Sequence, residues 1–269
     1  MELNMKLKGL FSAAVITTSL LVAGAVNAAS NTINVGVIAG AEAQVAEVAA
    51  KIAKEKYNLD VKLTIFSDYV IPNAALDDGS IDANAFQHAP YLDQQIKDRG
   101  YKIKPVGNTF VYPIAGYSKK IKSLDELKKG DSIAIPNDPT NEGRALLLLQ
   151  EQGLIKLSKE SGLQATPLDI IDNPKKLDFV ELEAPQLPNS LQDVTIAIIN
   201  TTYASSINLS PDKDGIFVEN KESPYTNLIV ARDDNADSEN VKNFVKAYQT
   251  EEVYEAAKKL FKGGVVKGW

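Results

Sequence analysis

The sequence predicts an α/β protein with two lobes, two crossings between them and a ligand cleft where they meet. Three observations support this. Strand-like and helix-like segments alternate from residue 33 onward, in a βαβαβ order that implies parallel strands. Two extended apolar runs, at 105–116 and 227–231, interrupt the alternation where the chain would pass between lobes. Polar and aromatic residues also stand where strands end and helices begin, which is where open α/β sheets bind ligands.

The first 28 residues have the pattern of a cleavable signal peptide. Lys6 and Lys8 precede an apolar segment at 10–26, and Val26-Asn27-Ala28 supplies small residues at a cleavage site. A transmembrane anchor is the alternative, but the apolar segment is short for one. We therefore expect the mature chain to begin at Ala29, in the periplasm.

The composition excludes several classes of protein. The chain has 269 residues, is 44% hydrophobic and carries a net charge of −6, whereas nucleic-acid-binding proteins usually carry a basic surface. It contains no cysteine, which excludes disulfides, thiolate metal sites and cysteine nucleophiles. With a single histidine as well, we expect no metal site and no cofactor. We expect no enzyme either, since the common nucleotide, hydrolase and metalloprotease motifs are missing.

The first lobe is predicted from the periodicity of its apolar residues and from the turn-forming residues between its segments. Apolar runs indicate buried strands, and apolar stripes at helical spacing indicate helices. Its elements, in order, are a strand at 33–38, a helix with its stripe at Val45, Val48, Ala49 and Ile52, a strand at 61–66, a short helix towards Leu76, a turn at 77–80, a strand at 82–86 and a helix starting near Pro90.

The second lobe repeats the pattern, and two amphipathic helices at 241–248 and 253–260 then return to the first lobe. Its predicted elements are strands at 132–135, 168–171, 179–182 and 194–199 and a helix at 141–152. We place the lobe boundaries so that residues 29–108 and 228–269 form one lobe and residues 109–227 the other. Two crossings between α/β lobes are typical of the type II-like periplasmic binding protein fold, which is the predicted fold class.

Residues 82–92 combine a strand end, a helix start and three rings. Phe86, His88 and Tyr91 lie within six residues, and His88 is the sole histidine. On the ordinary interpretation, Phe86 and Tyr91 are core-packing residues and His88 is a polar residue with its hydrogen bonds satisfied. The functional interpretation is a ring-lined ligand pocket.

A second candidate segment begins at residue 136. Asp138 is a favourable N-cap and Pro139 a favourable first helical residue, which places Asn141 and Arg144 on one helix face. An arginine near a helix N-terminus is locally unfavourable unless an anion lies there, so it suggests a carboxylate site with a bidentate fork. On that interpretation its removal should cost little stability. The alternative is a surface arginine paired with Glu142 or another acid.

Two asparagines complete the candidate site. Asn200 follows a buried strand, and Asn227 lies in the predicted return crossing. Each offers a donor and an acceptor, as both ends of a zwitterion require. Turn or cap chemistry is the equally simple alternative.

Residues 82–95 resemble the methionine-binding lipoprotein family (MetQ/NlpA type), the substrate-binding components of bacterial methionine ABC importers. The resemblance extends over the mature chain, and its clearest segments are 35–49, 106–124, 135–150, 181–188, 200–204 and 263–269. It implies that two groups of residues form the site. Those around the ligand thioether are Tyr69, Phe86, His88 and Tyr91, and those that hold the amino-acid backbone are Asn141, Arg144, Asn200 and Asn227.

The chemistry of the ligand agrees with this assignment. A thioether packs well against aromatic edges, and a buried ammonium and carboxylate need fixed polar partners. The resemblance thus implies a monomeric protein that delivers L-methionine to an inner-membrane permease with an ATPase and binds no nucleic acid. Binding of D-methionine stays open, as do another apolar amino acid, a methionyl dipeptide and a surface interaction role without transport. A lone histidine beside tyrosine also leaves general acid or base catalysis open.

The chain departs from the family pattern at two positions. Ala25 stands where members carry the lipobox cysteine, so acylation there is impossible. Ala89 stands where relatives often have a charged residue, which we expect to affect only the rim of the site.

We expect periplasmic protein to begin at Ala29 and to carry no lipid, because the cleavage triplet is present and the cysteine is not. Intact-mass analysis measures both features. An Ala25→Cys variant restores the lipobox and should gain a lipid. An acylated or uncleaved wild-type chain would contradict the prediction.

Overall fold

The computed structural model describes residues 31–220 and 224–269, so the predicted signal peptide and Ala25 lie outside the described residues. Within these two ranges, no helix has the length and apolar character needed to cross a membrane.

Strands and helices alternate through the described chain. The strands are β1 (Thr32–Ile38), β2 (Asp60–Phe66), β3 (Ala83–His88), β4 (Ile103–Val111), β5 (Ala115–Tyr117), β6 (Ser132–Pro136), β7 (Lys156–Leu157), β8 (Ile170–Asp172), β9 (Asp178–Leu182), β10 (Ile196–Ile199), β11 (Phe217–Val218), β12 (Thr226–Arg232) and β13 (Val266–Lys267). The α-helices are α1 (Ala41–Tyr57), α2 (Ile71–Asp77), α3 (Ala89–Arg99), α4 (Pro139–Glu151), α5 (Leu187–Ser190), α6 (Thr201–Ser206), α7 (Pro211–Asp214), α8 (Glu239–Tyr248) and α9 (Glu251–Leu260).

The first sheet has the strand order β13-β4-β12-β3-β1-β2. β1 runs parallel to β2 and β3, which confirms the predicted βαβαβ arrangement. β12 lies between β3 and β4 and is antiparallel to both. The short β13, which the sequence did not predict, pairs with β4 and brings the Trp269 ring to 5.1 Å from the Phe110 ring.

The second sheet has the strand order β11-β5-β10-β6-β9. The predicted strands at 132–135, 179–182 and 194–199 correspond to β6, β9 and β10. The predicted strand at 168–171 is wrong in its first half, because Pro167–Asp169 is a 3-10 turn. The Asp169 carboxylate accepts hydrogen bonds from the Thr166 amide and hydroxyl and thereby stabilises this turn. β8 pairs only with β7, outside the main sheet, among the strands that the structure describes.

Both predicted crossings connect the two sheets, but the first is shorter than predicted and the second lies earlier in the chain. β4 in the first sheet and β5 in the second are separated by residues 112–114. The return passes through residues 219–225, of which 221–223 lie outside the described chain. Asn227 was predicted in this crossing; it lies instead on β12, paired with His88 of β3. The lobe boundaries at 108/109 and 227/228 stay predictions.

Each sheet carries its own apolar core. In the first, α1, α8 and α9 pack together on the sheet, and the predicted α1 stripe buries Val45, Ala49 and Ile52. In the second, α4 packs against β6 and β10. A smaller cluster, which includes Phe86, Tyr91 and Tyr203, joins residues of both sheets where they face each other. The two-lobed α/β prediction is confirmed.

Gly143 generates a stability prediction. Within a helix, glycine to alanine ordinarily stabilises by about 1 kcal/mol. In α4, however, a Cβ at Gly143 would overlap the backbone carbonyl of Leu163. We therefore expect Gly143→Ala to lower the free energy of unfolding by roughly 1–3 kcal/mol, measured by urea denaturation. Glu151→Ala, at the exposed end of the same helix, should change it by less than about 0.5 kcal/mol. A Gly143→Ala variant as stable as the wild type would contradict this packing.

Candidate functional site

A pocket lies where residues of the two sheets face each other. The structure brings all eight predicted site residues to its wall. The full lining is Tyr69, Phe86, Gln87, His88, Tyr91, Tyr112, Asn141, Arg144, Asn200, Thr201, Thr202 and Asn227.

Three rings form one wall of the pocket. The centroid of Tyr69 lies 5.8 Å from that of Phe86 and 6.3 Å from that of Tyr91, and the latter two are 6.0 Å apart. The Tyr91 hydroxyl donates to the Tyr69 carbonyl at 2.8 Å. The rings meet edge-on or tilted, so this wall presents ring edges as well as faces, which suits a soft, polarisable group.

His88 ends β3 and caps α3. Its Nδ1 accepts from the Tyr91 amide at 3.2 Å, so the ring proton is on Nε2, which donates to Asn141 Oδ1 at 3.2 Å. Burial, with a further contribution from the Arg144 charge, lowers the pKa of His88 to about 3. The imidazole is therefore neutral and both ring nitrogens are engaged.

Asn141 stands at the start of α4, whose beginning follows the prediction. Asp138 is the N-cap and accepts from the Asn141 amide at 3.0 Å, and Pro139 is the first helical residue. The Asn141 side-chain Nδ2 also donates to the Asp138 carboxylate, at 2.9 and 3.1 Å. Its Oδ1 accepts from His88 and from Asn200, the latter at 2.8 Å. Both ends of this amide are thus occupied.

Asn200 and Asn227 approach the pocket from different sheets. Asn200 follows β10, and its Oδ1 is buried with no hydrogen-bond donor among the described residues. A buried acceptor left unpaired costs about 1–3 kcal/mol, so a ligand donor would be favourable here. Asn227 uses its Nδ2 to donate to the Phe86 carbonyl at 3.0 Å.

Arg144 is not a surface residue paired with Glu142. Only 4% of its side chain is exposed, and its partner is Glu219. Its Nε lies 2.8 Å from Oε1 and its Nη2 2.5 Å from Oε2, while Nη2 also donates to the Tyr112 carbonyl at 2.9 Å. The Tyr225 ring lies 4.3 Å from Cζ.

This pairing corrects two expectations about Arg144. The bidentate fork is not free, because its Nε and Nη2 edge faces Glu219. The basis for expecting little loss of stability is also wrong, since removal of Arg144 would leave the largely buried Glu219 carboxylate without its counter-ion.

Several pocket residues were not predicted. Tyr112 lies in the first crossing, and Thr201 and Thr202 directly follow Asn200. Their positions beside a predicted crossing and a predicted site residue are the sequence features that could have identified them. Gln87, between two predicted residues on β3, belongs to a buried amide network. Its Nε2 donates to Asn73 at 2.6 Å and to Asn84 at 3.0 Å.

Glu42 is a buried acid beside the pocket that was also missed. It lies in the first turn of α1, with 2% of its surface exposed, and its Oε1 accepts from the Thr202 hydroxyl at 2.5 Å. Its Oε2 has no hydrogen-bond partner among the described residues. Burial raises the pKa of this carboxyl to about 8, against the opposing effect of the Thr202 hydrogen bond.

Residues 31–220 and 224–269 hold no group of three histidine or acidic side chains placed to bind a metal ion.

Comparisons with known proteins agree on one family. The model of the NlpA lipoprotein family matches residues 33–269. A relative from Vibrio cholerae described as "Probable D-methionine-binding lipoprotein MetQ" is 67% identical over 269 residues, covering 99% of this chain and 100% of that protein.

Two solved structures extend the likeness. One is a nutrient binding protein from Burkholderia cenocepacia bound to methionine, with a TM-score of 0.87, 55% identity, and coverage of 88% of this chain and 100% of the other. The other is an ABC transporter periplasmic substrate-binding protein from Coxiella burnetii, with a TM-score of 0.86, 50% identity and coverage of 88% and 100%.

Glu42 predicts a pH dependence of stability. Because its pKa is raised from 4.5 to about 8, the folded protein keeps a proton that the unfolded chain releases. This contribution is complete below pH 4.5 and is lost as the pH rises to about 8. Relative to Glu42→Gln, the wild type should lose roughly 1 kcal/mol of unfolding free energy per pH unit across this window.

Urea denaturation at several pH values measures the difference between the two proteins. Glu47→Gln removes a carboxylate from the exposed face of the same helix and should follow the wild-type profile. Parallel profiles for wild type and Glu42→Gln would show that Glu42 is ionised in the folded protein.

Proposed function

The chain belongs to the NlpA lipoprotein family, whose model spans residues 33–269, and from this we propose that it is the solute-binding protein of an ABC importer and captures methionine between its lobes. The V. cholerae relative is named for D-methionine and the B. cenocepacia structure contains methionine, so both enantiomers are candidate ligands.

One observation carries the proposal: the polar half of the pocket has an unmatched donor and an unmatched acceptor. Among the described residues, no acceptor pairs with Arg144 Nη1 and no donor pairs with Asn200 Oδ1. A zwitterionic amino acid supplies both partners, a carboxylate for the guanidinium and an ammonium for the amide oxygen.

The other half of the pocket favours an apolar side chain with a soft atom. The rings of Tyr69, Phe86 and Tyr91 supply contact area and make little hydrogen-bonding demand. His88 adds a fourth ring that burial keeps neutral. In this proposal these four residues surround the thioether, and Asn141, Arg144, Asn200 and Asn227 hold the amino-acid backbone.

We propose binding without turnover. A general base needs a free nitrogen and a pKa near the working pH. His88 has neither, since Tyr91 and Asn141 engage its nitrogens and its pKa is lowered to about 3. The proposed cycle is capture by a monomer in the periplasm, followed by release to a permease and ATPase complex in the inner membrane.

Isothermal titration calorimetry with L-methionine, D-methionine, leucine and a methionyl dipeptide tests the ligand. We expect methionine to bind most tightly. Tyr69→Ala should weaken methionine binding by about 1–3 kcal/mol, roughly ten- to a hundredfold, because one ring of the wall is lost.

Tyr101→Ala is the matched control, because this partly buried tyrosine lies in the first lobe away from the pocket and its loss should leave the affinity unchanged. If leucine or the dipeptide bound more tightly than methionine, that compound would be the ligand. Equal affinities of wild type and Tyr69→Ala for methionine would show that Tyr69 is not part of the site. Mass spectrometry of the same mixtures detects turnover, which would contradict a binding function.

A further inference from the structure

We infer that Glu219 determines specificity: its carboxylate fixes and neutralises the Arg144 guanidinium, so that the pocket selects a zwitterion over a carboxylate that lacks an ammonium group. This inference rests on the proposed function and deepens it, since it concerns the charge of the ligand rather than its side chain.

The geometry fixes Arg144 on three sides. Glu219 meets its Nε and Nη2, the Tyr112 carbonyl accepts from Nη2, and the Tyr225 ring lies against the guanidinium plane. Glu219 is held in turn, because its Oε2 also accepts from the Ile114 amide at 3.3 Å. Among the described residues, Nη1 is then the one guanidinium nitrogen without a hydrogen-bond acceptor.

The side chains of the pair are also largely buried. The exposed fractions of the two side chains are 4% for Arg144 and 9% for Glu219. Water therefore screens their charges weakly, and each charge acts on a ligand in the adjoining pocket. The salt bridge is consequently an electrostatic element of the site as well as a structural contact.

Among the described residues, Glu219 is the only carboxylate in an ion pair with Arg144, and the ionisable groups beside the pocket have other partners. His88 is neutral, because burial lowers its pKa to about 3. Asp138 accepts from Asn141 and Thr140. Glu42 accepts from Thr202. Removal of the Glu219 charge would thus leave the arginine uncompensated.

The consequence differs between two ligands that share a carboxylate and a thioether. An uncompensated Arg144 attracts either carboxylate, but it repels the ammonium of methionine and not the hydroxyl of its α-hydroxy acid analogue. Glu219→Gln keeps the size of the side chain and a hydrogen-bond acceptor while it removes the charge. It should therefore reduce the preference for methionine over the hydroxy acid by about tenfold.

Calorimetry with L-methionine and its α-hydroxy acid analogue gives the ratio of the two dissociation constants for each protein. Glu219→Asp retains the charge on a shorter side chain, so it should weaken both affinities and keep the ratio within about twofold of the wild type. Glu239→Gln removes a carboxylate that is 77% exposed and should change neither affinity nor ratio.

The outcomes separate this inference from the proposed function. A Glu219→Gln variant whose two affinities change by the same factor would overturn the inference and leave Glu219 a structural partner. If Glu219→Gln does not fold, Glu219→Asp decides, and a ratio shifted as far as tenfold would overturn the inference. A wild-type protein that binds neither compound would instead overturn the proposed function.

Discussion

Asn141 connects three distant parts of the chain, and the rest of the site depends on that connection. Its Oδ1 accepts from His88, 53 residues away, and from Asn200, 59 residues away, while its Nδ2 donates to Asp138. A buried amide with every partner in place cannot turn without leaving a polar group unpaired, so the orientations of His88 and Asn200 are fixed with it. Because Asp138 also caps α4, the start of this helix and the geometry of the pocket are set by the same carboxylate.

The electrostatics of the pocket follow from this rigid frame. Burial would make an isolated arginine costly, and Glu219 with the Tyr112 carbonyl offsets that cost. The same burial, together with the Arg144 charge, keeps His88 neutral. The pocket thus holds a compensated cation beside neutral rings and amides, an arrangement that accommodates a ligand with two opposite charges.

The sequence predicted features that depend on local chemistry. Asp138 and Pro139 mark the start of α4 through capping and a fixed φ, which neighbouring residues decide. The rings at 86–91 fall on one strand-to-helix junction, so their proximity required only the right secondary structure. The family resemblance then selected the functional interpretation of these residues over the structural one.

Features that depend on tertiary packing were not predicted. Glu219 lies 75 residues from Arg144, and no local pattern distinguishes it from other acids. The sequence analysis placed Asn227 in a crossing. In the structure it lies on β12, and the register of β12 against β3 brings it to the pocket. β13 is two residues long and exists because β4 offers it a partner. The 3-10 turn at Pro167–Asp169 formed where apolar residues suggested a strand, because Asp169 supplies a competing local hydrogen bond.

The core-packing interpretation of the rings is confirmed, and it is compatible with the functional one, which stays a prediction. Phe86 and Tyr91 are buried, with exposed fractions of 4% and 6%, and they belong to the apolar cluster that joins the two sheets. That cluster includes Tyr203 from the second lobe, whose ring lies 5.0 Å from Tyr69. A ligand side chain placed among these rings would add apolar contact to the surface on which the lobes meet. The same residues would therefore select the ligand side chain and hold the two lobes together. A ligand with a shorter side chain would provide less of this contact.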